Sequence, residues 1–545
     1  MKRNSLADRK LLARLGVADG APRHARALAL GAVCLGLVMT SAACSGSSST
    51  GATGATGATG KSVTLAVQYE PRTLASWDGY SSDGYPVIRN IEEALINRDP
   101  KTNDLAPELA TSWKQVDPQT WDFSLRQGVK FTDGSAFDAT AAAYTLNYTL
   151  NPTNAFAIRT FLGPDVTFTA KDQYTLEAKT VEADPILPTR LYFVPIVSAK
   201  LLKETPDKYA TTPVGTGPYK FATWNRGQNI KLTANTDWWG RKDTAAALGS
   251  NSQITEVTIN FPAEASVRGA QVKTGEAQEA SWLTADQCQA APKCVQSPGI
   301  ETFILRLDTP NPALKDIRVR KAIAMSFSKQ QMMVNILGGG TPSGSIDGAS
   351  AFGVDTALKP YPQDVAGAKA LIAQAKAAGV PVDTPLIVQA EIGVNSHANE
   401  MVQYIAQSMR AIGLTNVKSQ MRDKASMEKD WTAGYKAIPA NRGMVGLQSH
   451  GQELMDYSGS VGSYYACSGP TSAYCNPTLD AMYNAATPLT ADARKTAMQK
   501  LDDYMYQEVP IVPIGQPNFF YGMAKNLDWT PRLDGFLLVK EMKLT

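Results

Sequence analysis

Short stretches in which apolar and polar residues alternate recur along most of this chain. A period of two is typical of strands that bury one face of a sheet. It is found at residues 63–67, 121–125, 257–261 and 303–307, and residues 510–514 form a short apolar strand. Alanine-rich or amphipathic stretches between them predict helices at residues 88–97, 138–150, 267–275, 317–337, 364–378, 397–412, 477–486 and 491–508. The mixture predicts an α/β fold.

Residues 212–221 interrupt this pattern near the middle of the folded part of the chain. Pro213 and Pro218 fix φ and remove two backbone donors. Gly215 and Gly217 allow positive φ, so neither a helix nor a central strand can pass through. After the turn, apolar and polar residues alternate on both sides of the polar loop 225–228. The sequence therefore predicts a rigid turn followed by a β-hairpin.

The first 43 residues have the features of a signal peptide. Basic residues precede the apolar run 27–39, which is too short to span a bilayer. The segment ends in Ser41-Ala42-Ala43-Cys44, which resembles a bacterial lipobox and makes Cys44 the candidate for lipidation. Because Ser41 stands where a lipobox usually has leucine, ordinary cleavage and a secreted protein are the alternative.

Residues 44–60 form the candidate lipid anchor and a flexible linker. After Cys44 the segment contains only Ser, Gly, Thr and Ala, a composition that cannot bury apolar surface. Two acyl chains on Cys44 would anchor the protein stably, where one chain would be marginal. The expected location is therefore extracytoplasmic, on the outer face of the cell membrane.

Length and charge restrict the class of protein. At roughly 150 residues per domain, the chain of 545 residues has room for three or four domains. Its formal net charge is +3, with no basic patch that would indicate a nucleic-acid partner. Only His24, His397 and His450 are histidines, and no phosphate-binding loop is present. We therefore expect neither a metal nor a cofactor.

Four cysteines of the exported part favour two local disulfides. Export favours pairing, and the short spacings make Cys288 with Cys294 and Cys467 with Cys475 the simplest solution once Cys44 is lipidated. A four-cysteine zinc site is the alternative, although neither pair has the two-to-four-residue spacing of such sites.

Five motifs, taken together and in order, carry a family resemblance. They are residues 107–113 (PELATSW), 125–134 (LRQGVKFTDG), 213–219 (PVGTGPY), 238–240 (WWG) and 316–323 (DIRVRKAI). On these motifs the chain resembles the family 5 solute-binding proteins of peptide and nickel ABC transporters, of the oligopeptide- and dipeptide-binding type. The resemblance covers nearly everything from residue 63 onwards.

The resemblance implies a periplasmic-binding-protein-like class II fold of the large three-lobed type, with a hinged ligand cleft. Lobe I would comprise residues 61–88, 210–308 and 520–545, lobe II residues 89–209, and lobe III residues 309–519. A ligand that bridges two lobes favours the closed state, which a transporter can sense. The implied partners are ABC permease subunits and a peptide-like solute, and the protein is expected to be a monomer.

An enzyme is the alternative from another class. Residues 326–329 (SFSK) fit Ser-x-x-Lys, and residues 273–275 (KTG) fit Lys-Thr-Gly, both used by penicillin-binding enzymes. The two motifs stand in the reverse of the order that those enzymes use, and Phe327 continues an apolar helix stripe. We therefore expect a binding protein and no enzyme.

Candidate ligand-binding residues come from the same resemblance. The family's peptide binders hold the peptide amine on an acid soon after a Gly-Trp pair, and the corresponding run here contains Gly446 and has His450 near the acid. Glu453 and Asp456 are the alternative carboxylates, although Asp456 fits a turn cap equally well. The arginine that dipeptide binders use would fall before the helix at His397, where residues 391–395 offer none. A dipeptide with two free termini is therefore disfavoured.

Three aromatic residues after the first strand, Tyr69, Trp77 and Tyr85, are candidate walls of the cleft or ordinary packing. Longer peptides held as an added strand need no arginine. The expected function is thus the extracytoplasmic solute-binding component of an ABC importer for a peptide-like or other organic solute. The alternatives are a binder of an oligosaccharide or metal chelate and a surface solute receptor used for signalling.

Overall fold

The computed structural model describes residues 61–79, 84–154, 156, 158–159, 165–241, 253–451 and 453–545. The predicted signal peptide, Cys44 and the linker 44–60 lie outside these residues. Within them, no helix combines the length and the apolar character that crossing a membrane requires.

Helices and strands are interspersed along the chain, as the sequence predicts. The strands are β1 (Lys61–Ala66), β2 (Ile96–Arg98), β3 (Leu105–Pro107), β4 (Ala110–Asp117), β5 (Thr120–Leu125), β6 (Val166–Ala170), β7 (Thr175–Thr180), β8 (Tyr219–Asn225), β9 (Asn229–Ala234), β10 (Ile254–Asn260), β11 (Glu279–Leu283), β12 (Lys293–Ser297), β13 (Glu301–Leu307), β14 (Gly340–Pro342), β15 (Leu386–Glu391), β16 (Val417–Arg422), β17 (Met444–Gly451), β18 (Ile511–Pro517), β19 (Phe519–Met523), β20 (Leu527–Asp528) and β21 (Lys543–Leu544). The helices are α1 (Tyr85–Ile91), α2 (Ala139–Leu150), α3 (Leu187–Leu191), α4 (Ala199–Glu204), α5 (Ala265–Thr274), α6 (Ala285–Gln289), α7 (Ile317–Met325), α8 (Lys329–Gln331), α9 (Val365–Ala377), α10 (Ala398–Ala411), α11 (Lys424–Trp431), α12 (Tyr457–Ser460), α13 (Pro477–Ala486) and α14 (Ala491–Glu508).

A seven-stranded sheet gathers strands that lie far apart in the sequence. Its order is β12-β19-β11-β1-β10-β9-β8. β1 lies parallel to both β10 and β11, and β19, near the end of the chain, pairs antiparallel with β11 and β12. The predicted hairpin is confirmed, because β8 and β9 pair antiparallel around the loop 226–228. The chain therefore returns to this sheet after each excursion.

A six-stranded sheet in the order β14-β18-β13-β17-β15-β16 is covered by helices. Successive residues of a strand point to opposite faces. Phe303, Leu305 and Leu307 of β13 accordingly join a core with α7, α9 and α10. Ile304 joins a second core with residues of α13 and α14. Since β13 and β17 pair antiparallel along their length, this alternation also decides which residues of β17 face the cavity described below.

A four-stranded antiparallel sheet, β4-β5-β7-β6, lies between α1 and β8 in the sequence. Helix α2 contacts its strands β6 and β7. Asp138 caps α2 as predicted, because its side chain accepts a hydrogen bond of 2.9 Å from the Ala141 amide. This sheet has its own core of buried apolar residues.

Glu93, which follows α1, is the shared hydrogen-bond acceptor of three residues from the sequence motifs. Its carboxylate accepts hydrogen bonds from Thr216 Oγ1 (2.9 Å), Trp238 Nε1 (3.0 Å) and Trp239 Nε1 (2.7 Å). Burial, together with the nearby charge of Glu108, raises the pKa of Glu93 to about 7. The motifs 213–219 and 238–240 thus bind the same buried carboxyl group. This group attaches the central turn to the end of α1.

The two glycines of the central turn are required by close approach, and neither has a positive φ. A Cβ atom on Gly215 would lie 2.2 Å from the Ile91 carbonyl oxygen, and one on Gly217 would lie 2.6 Å from the same oxygen. The Gly217 amide donates to this carbonyl over 2.8 Å. The turn is therefore packed directly against the backbone of α1.

Two predicted helices were wrong in extent. Residues 88–97 contain only the end of α1, and the following residues turn into β2. The helix predicted over residues 317–337 is interrupted, because α7 ends at Met325 and the Ser328 hydroxyl accepts a hydrogen bond from the Gln331 amide to begin α8. A serine side chain that satisfies a backbone amide in this way competes with helix continuation.

Both predicted cysteine pairs are disulfides in the structure, Cys288–Cys294 and Cys467–Cys475. The first joins α6 to β12, and the second closes a loop that precedes α13. The alternative of a four-cysteine zinc site is therefore wrong.

Candidate functional site

A cavity of about 650 Å³ lies where the seven-stranded and six-stranded sheets meet. From the first sheet it is lined by residues 68–69 after β1, by the start of α5 and by residues 282–286. From the second it is lined by β13, by residues 335–338 and by the loop before α10. Residues 517–520, where the chain crosses from β18 to β19, also line it.

Aromatic side chains form much of this lining: Tyr69, Trp282, Phe303, Phe519 and Phe520. The rings of Tyr69 and Trp282 are neighbours, with centroids 6.3 Å apart. The exposed fraction of Tyr69 is 47 %, which is large for an aromatic residue of a folded protein. Of the three predicted wall residues, Tyr69 is the one that lines the cavity.

Arg268 of α5 fixes the backbone on one side of the cavity. Its guanidinium donates hydrogen bonds to the carbonyl oxygens of Pro262 (2.8 Å), Ala263 (2.7 Å), Ser281 (3.0 Å) and Trp282 (2.9 Å). Trp282 has a φ of 53°, a left-handed conformation that costs energy for a residue with a Cβ atom. Arg268 therefore ties together four backbone carbonyl groups on this side of the cavity, including that of Trp282.

Two carboxyl groups converge at the end of β17. Glu301 lines the cavity and accepts a hydrogen bond from Ser449 Oγ. A Cβ atom built on Gly451 would lie 3.1 Å from Oε1 of Glu453 and 3.8 Å from Cγ of Glu301. Burial raises the pKa of Glu301, and it raises the pKa of Glu453 to about 7. A cation close to such a pair of carboxyl groups favours their ionised form.

His450, the predicted neighbour of the amine anchor, points away from this cavity. Facing residues of an antiparallel pair share one side of the sheet, and Ser449 faces Phe303 whereas His450 faces Thr302. His450 is buried, with Nε2 2.9 Å from Asp347 Oδ1 and 2.7 Å from Ser460 Oγ. Its ring lies against that of Tyr464, with centroids 4.6 Å apart. This environment is that of an internal hydrogen-bonded residue.

Asp456 is used by the protein itself. It is 3 % exposed, caps α12, and pairs with Arg494 through two hydrogen bonds of 2.6 and 2.8 Å. Because both oxygens are engaged, a ligand amine would have to displace a buried guanidinium. The geometry therefore favours the turn-cap interpretation over the amine-anchor interpretation.

The remaining predicted residues lie in packed surroundings. Trp77 is 5 % exposed, with ring centroids 5.1 to 5.6 Å from three aromatic neighbours in the core of the four-stranded sheet. The ring of Tyr85 lies 4.3 Å from that of Phe536. On Gly446, a Cβ atom would lie 2.8 Å from the Trp431 ring. None of the three lines the 650 Å³ cavity, so a role in ligand contact remains a prediction that the geometry does not favour.

The two enzyme-like motifs are structural here. Ser326 Oγ donates to the Ile323 carbonyl over 2.8 Å, and buried Lys329 donates from Nζ to the Ala324 carbonyl. Gly275 of the Lys-Thr-Gly sequence ends α5 with a φ of 83°. In the described part of the chain, no group of three or more His, Cys, Asp or Glu residues is arranged to hold a metal ion.

The sequence prediction missed Trp282, Arg268 and Glu301. Glu301 had a signal, because it stands two residues before Phe303 and so continues the alternation of the predicted strand onto the same face. Trp282 and Arg268 had none, since their roles depend on a backbone conformation and on carbonyl groups brought together by folding.

Comparison with solved structures shows the fold. The ABC transporter substrate-binding protein CtaP of Listeria monocytogenes matches with a TM-score of 0.77 and 19 % identity, over 89 % of this chain and 99 % of that one. AgaA of A. tumefaciens R10, in complex with agropinic acid, matches with a TM-score of 0.70 and 22 % identity over 89 % and 99 %. The chain thus has the predicted periplasmic-binding-protein-like class II fold of the large type with a ligand cleft.

The sequence comparisons agree and define the family. Di/tripeptide-binding protein 2 of Pseudomonas aeruginosa is 24 % identical over 518 residues, which cover 85 % of this chain and 93 % of the relative. The model of the bacterial extracellular solute-binding proteins, family 5 Middle, matches residues 104–469, more than half of the chain. This protein therefore belongs to the family 5 bacterial extracellular solute-binding proteins.

Proposed function

We propose that this protein captures a peptide-like or other organic solute in the 650 Å³ cavity and delivers it to the permease subunits of an ABC importer. The observation that carries the proposal is that the lining comes from both sheets, which the chain joins through residues 517–520. A ligand that touches both sides binds the closed state more tightly than the open state and so shifts the population toward closure.

Size and chemistry support a small organic solute. A volume of about 650 Å³ lies within the range of roughly 300–1,000 Å³ that ligand pockets occupy. Aromatic walls with a few polar groups are the usual composition of such sites. For a peptide-like ligand, Glu301 with Glu453 behind it is the candidate partner of the amine, in place of Asp456. The relative named for di- and tripeptides supports this choice of solute.

A non-peptide solute is the second candidate. It is favoured by the fold neighbour that holds agropinic acid, and by the Tyr69 and Trp282 rings, which can pack on any planar or apolar group. An oligosaccharide or metal chelate remains the alternative within this class, and a receptor used for signalling would keep the cleft but lose the permease.

The remaining parts of the proposal concern organisation and location. We assign lobe I to residues 61–88, 210–308 and 520–545, lobe II to residues 89–209 and lobe III to residues 309–519, with one change: β13 (Glu301–Leu307) is placed with lobe III, because it pairs with β17 and β18 of the six-stranded sheet. The protein acts as a monomer without catalytic activity. Lipidation of Cys44 and the linker 44–60 hold it at the outer face of the membrane. The variant Cys44→Ala should be released into the medium, whereas its retention in the membrane fraction would contradict the anchor.

The decisive experiment is native mass spectrometry of protein purified from its own host, followed by denaturation and identification of any released solute. A series of peptide masses supports the peptide-like solute, and one non-peptide mass supports the second candidate. Glu301→Gln should lose the solute, while Glu182→Gln, an exposed carboxylate in the segment assigned to lobe II, is the matched control. Uptake of the identified solute in a deletion strain then tests delivery, since a signalling receptor would leave uptake unchanged.

A further inference from the structure

The acidic and the basic side chains that line the 650 Å³ cavity differ in whether they already have a partner within the protein. Its acidic side chains are Glu264, Asp286 and Glu301, and its basic side chains are Arg268 and His397. Glu264 and Asp286 are exposed, and within the described residues neither forms a salt bridge. The carboxylates are therefore open to a ligand that enters the cavity.

Both basic side chains already have partners within the protein. Arg268 is 1 % exposed and directs its guanidinium at four backbone carbonyl oxygens. His397 Nδ1 lies 3.0 Å from Glu400 Oε2, so any positive charge on this ring is offset by its neighbour. Among the described lining residues, a ligand carboxylate would therefore meet acidic side chains and no basic side chain that lacks a partner.

The aromatic pair adds a second attraction for positive charge. A cation within about 6 Å of the face of a tryptophan or tyrosine ring is attracted by the ring's quadrupole. Tyr69 and Trp282 stand side by side on the wall that also contains Glu264 and Asp286. Arg268 donates to the carbonyl oxygen of Trp282, which ties the backbone that carries this ring to α5.

We propose that the cavity selects organic cations, namely solutes that carry a protonated amine beside an apolar or aromatic group and that need no free carboxylate for recognition. This inference rests on the proposed solute-binding function and specifies its substrate class. Glu301 receives the buried amine, the rings of Tyr69 and Trp282 cover the apolar part, and Glu264 and Asp286 attract a second positive charge near the exposed edge.

The arrangement also accounts for the missing arginine before α10. The loop 393–397 reaches the cavity, yet it presents asparagine, serine and a histidine that is paired with Glu400. A solute with an obligatory carboxylate would leave that charge unpaired against carboxylates, at a cost of like-charge repulsion. Basic or amidated peptides and aromatic amines avoid this cost.

The test is isothermal titration with probes of matched size and different charge. The tripeptides lysyl-phenylalanyl-lysine, glutaminyl-phenylalanyl-glutamine and glutamyl-phenylalanyl-glutamate form one series. Tryptamine and indole-3-propionic acid form the second. The lysine peptide should bind at least 10-fold more tightly than the glutamine peptide, with the glutamate peptide weakest, and tryptamine should bind more tightly than the acid. Raising the salt concentration should narrow these differences.

Variants connect the selectivity to named residues. Glu301→Gln should weaken the binding of tryptamine and of all three tripeptides at least fivefold, because each of these probes carries an amine, and Asp286→Asn should reduce the preference for the lysine peptide over the glutamine peptide. Tyr69→Leu should weaken tryptamine and the lysine peptide together. Glu182→Gln, far in sequence from every lining residue, is the matched charge control and should change neither series.

The outcomes separate this inference from the proposed function. Affinities within twofold across the three tripeptides, or tighter binding of the anionic members, would overturn cation selection while leaving solute capture intact. Cation selection would equally be overturned if the solute released from host-purified protein were neutral or acidic. Absence of binding to all five probes, together with absence of any copurified solute, would overturn both.

Discussion

The guanidinium of Arg268 donates a hydrogen bond of 2.9 Å to the carbonyl oxygen of Trp282, whose backbone is left-handed. A helix residue is thereby bonded to the backbone of a strand residue fourteen positions later, whose aromatic side chain belongs to the lining of the cavity. The lining of the cavity therefore depends on backbone hydrogen bonds as well as on side-chain identity.

Replacing Arg268 should therefore affect stability and binding together. Arg268→Ala leaves four carbonyl groups without their donor, and we expect a loss of about 3 kcal/mol in the free energy of unfolding. The measurement is urea unfolding monitored by tryptophan fluorescence. Arg410→Ala is the control, because Arg410 makes one hydrogen bond, to the Val417 carbonyl, and should cost about 0.5 kcal/mol. If the two variants were equally stable, Arg268 would not fix this wall.

The affinity for a cationic probe should rise with pH. Burial raises the pKa of Glu453 to about 7, with the charges of Glu301 and Asp347 acting in the same direction and that of His450 opposing it. Burial also raises the pKa of Glu301. Only the ionised carboxylates attract a cation, so the form that binds is scarce below the raised pKa and dominant above it.

For the lysine tripeptide, the affinity should increase about 10-fold between pH 5.5 and 7.5, since a group with a pKa near 7 passes from largely protonated to largely ionised over that interval. Titrations in buffers of different ionisation enthalpy should show proton release on binding. Glu453→Gln should flatten the profile. A profile that stayed steep in this variant would assign the effect to another group.

Glu93 should be essential for the stability of the central turn. Glu93→Ala leaves the Thr216 hydroxyl and the two indole N–H groups of Trp238 and Trp239 buried without an acceptor. We expect a loss of about 3 kcal/mol, measured by urea unfolding. Glu93→Gln keeps one acceptor oxygen but turns an amide toward a donor, so its loss should be about half as large. Equal effects of the two variants would mean that the charge, and not the acceptor geometry, is what matters.

A substitution of Asp456 should distinguish a structural role of this residue from a ligand-binding role. Asp456→Asn breaks the two-bond pair with buried Arg494, and removing one partner of a buried pair costs about 3 kcal/mol. Under conditions where the variant is folded, its affinity for the lysine tripeptide should stay within twofold of the unaltered protein. A 10-fold loss in the folded variant would restore Asp456 as the amine anchor and contradict the assignment to Glu301.

Local sequence patterns predicted most individual elements because they depend on neighbours in the chain. The alternation around residues 225–228 predicted the β8–β9 hairpin, and Asp138 predicted the start of α2. The helix over residues 317–337 was wrong because the Ser328 side chain competes for a backbone amide, which apolar periodicity does not report. The reason for a glycine at position 215 was not predicted, because the constraint comes from the carbonyl oxygen of Ile91, more than a hundred residues away.

The sequence by itself determined the α/β class, the two disulfide pairs and, through five ordered motifs, the family. Tertiary structure alone decided which residues line the cavity. Asp456 and His450 have the right chemistry but turn into the protein, where Arg494 and Asp347 engage them. Glu301 lines the cavity through the pairing of β13 with β17, and Trp282 lines it from the end of β11, where Arg268 bonds the backbone. A site built from both sheets depends on contacts between residues far apart in the chain, and such contacts leave no local pattern in the sequence.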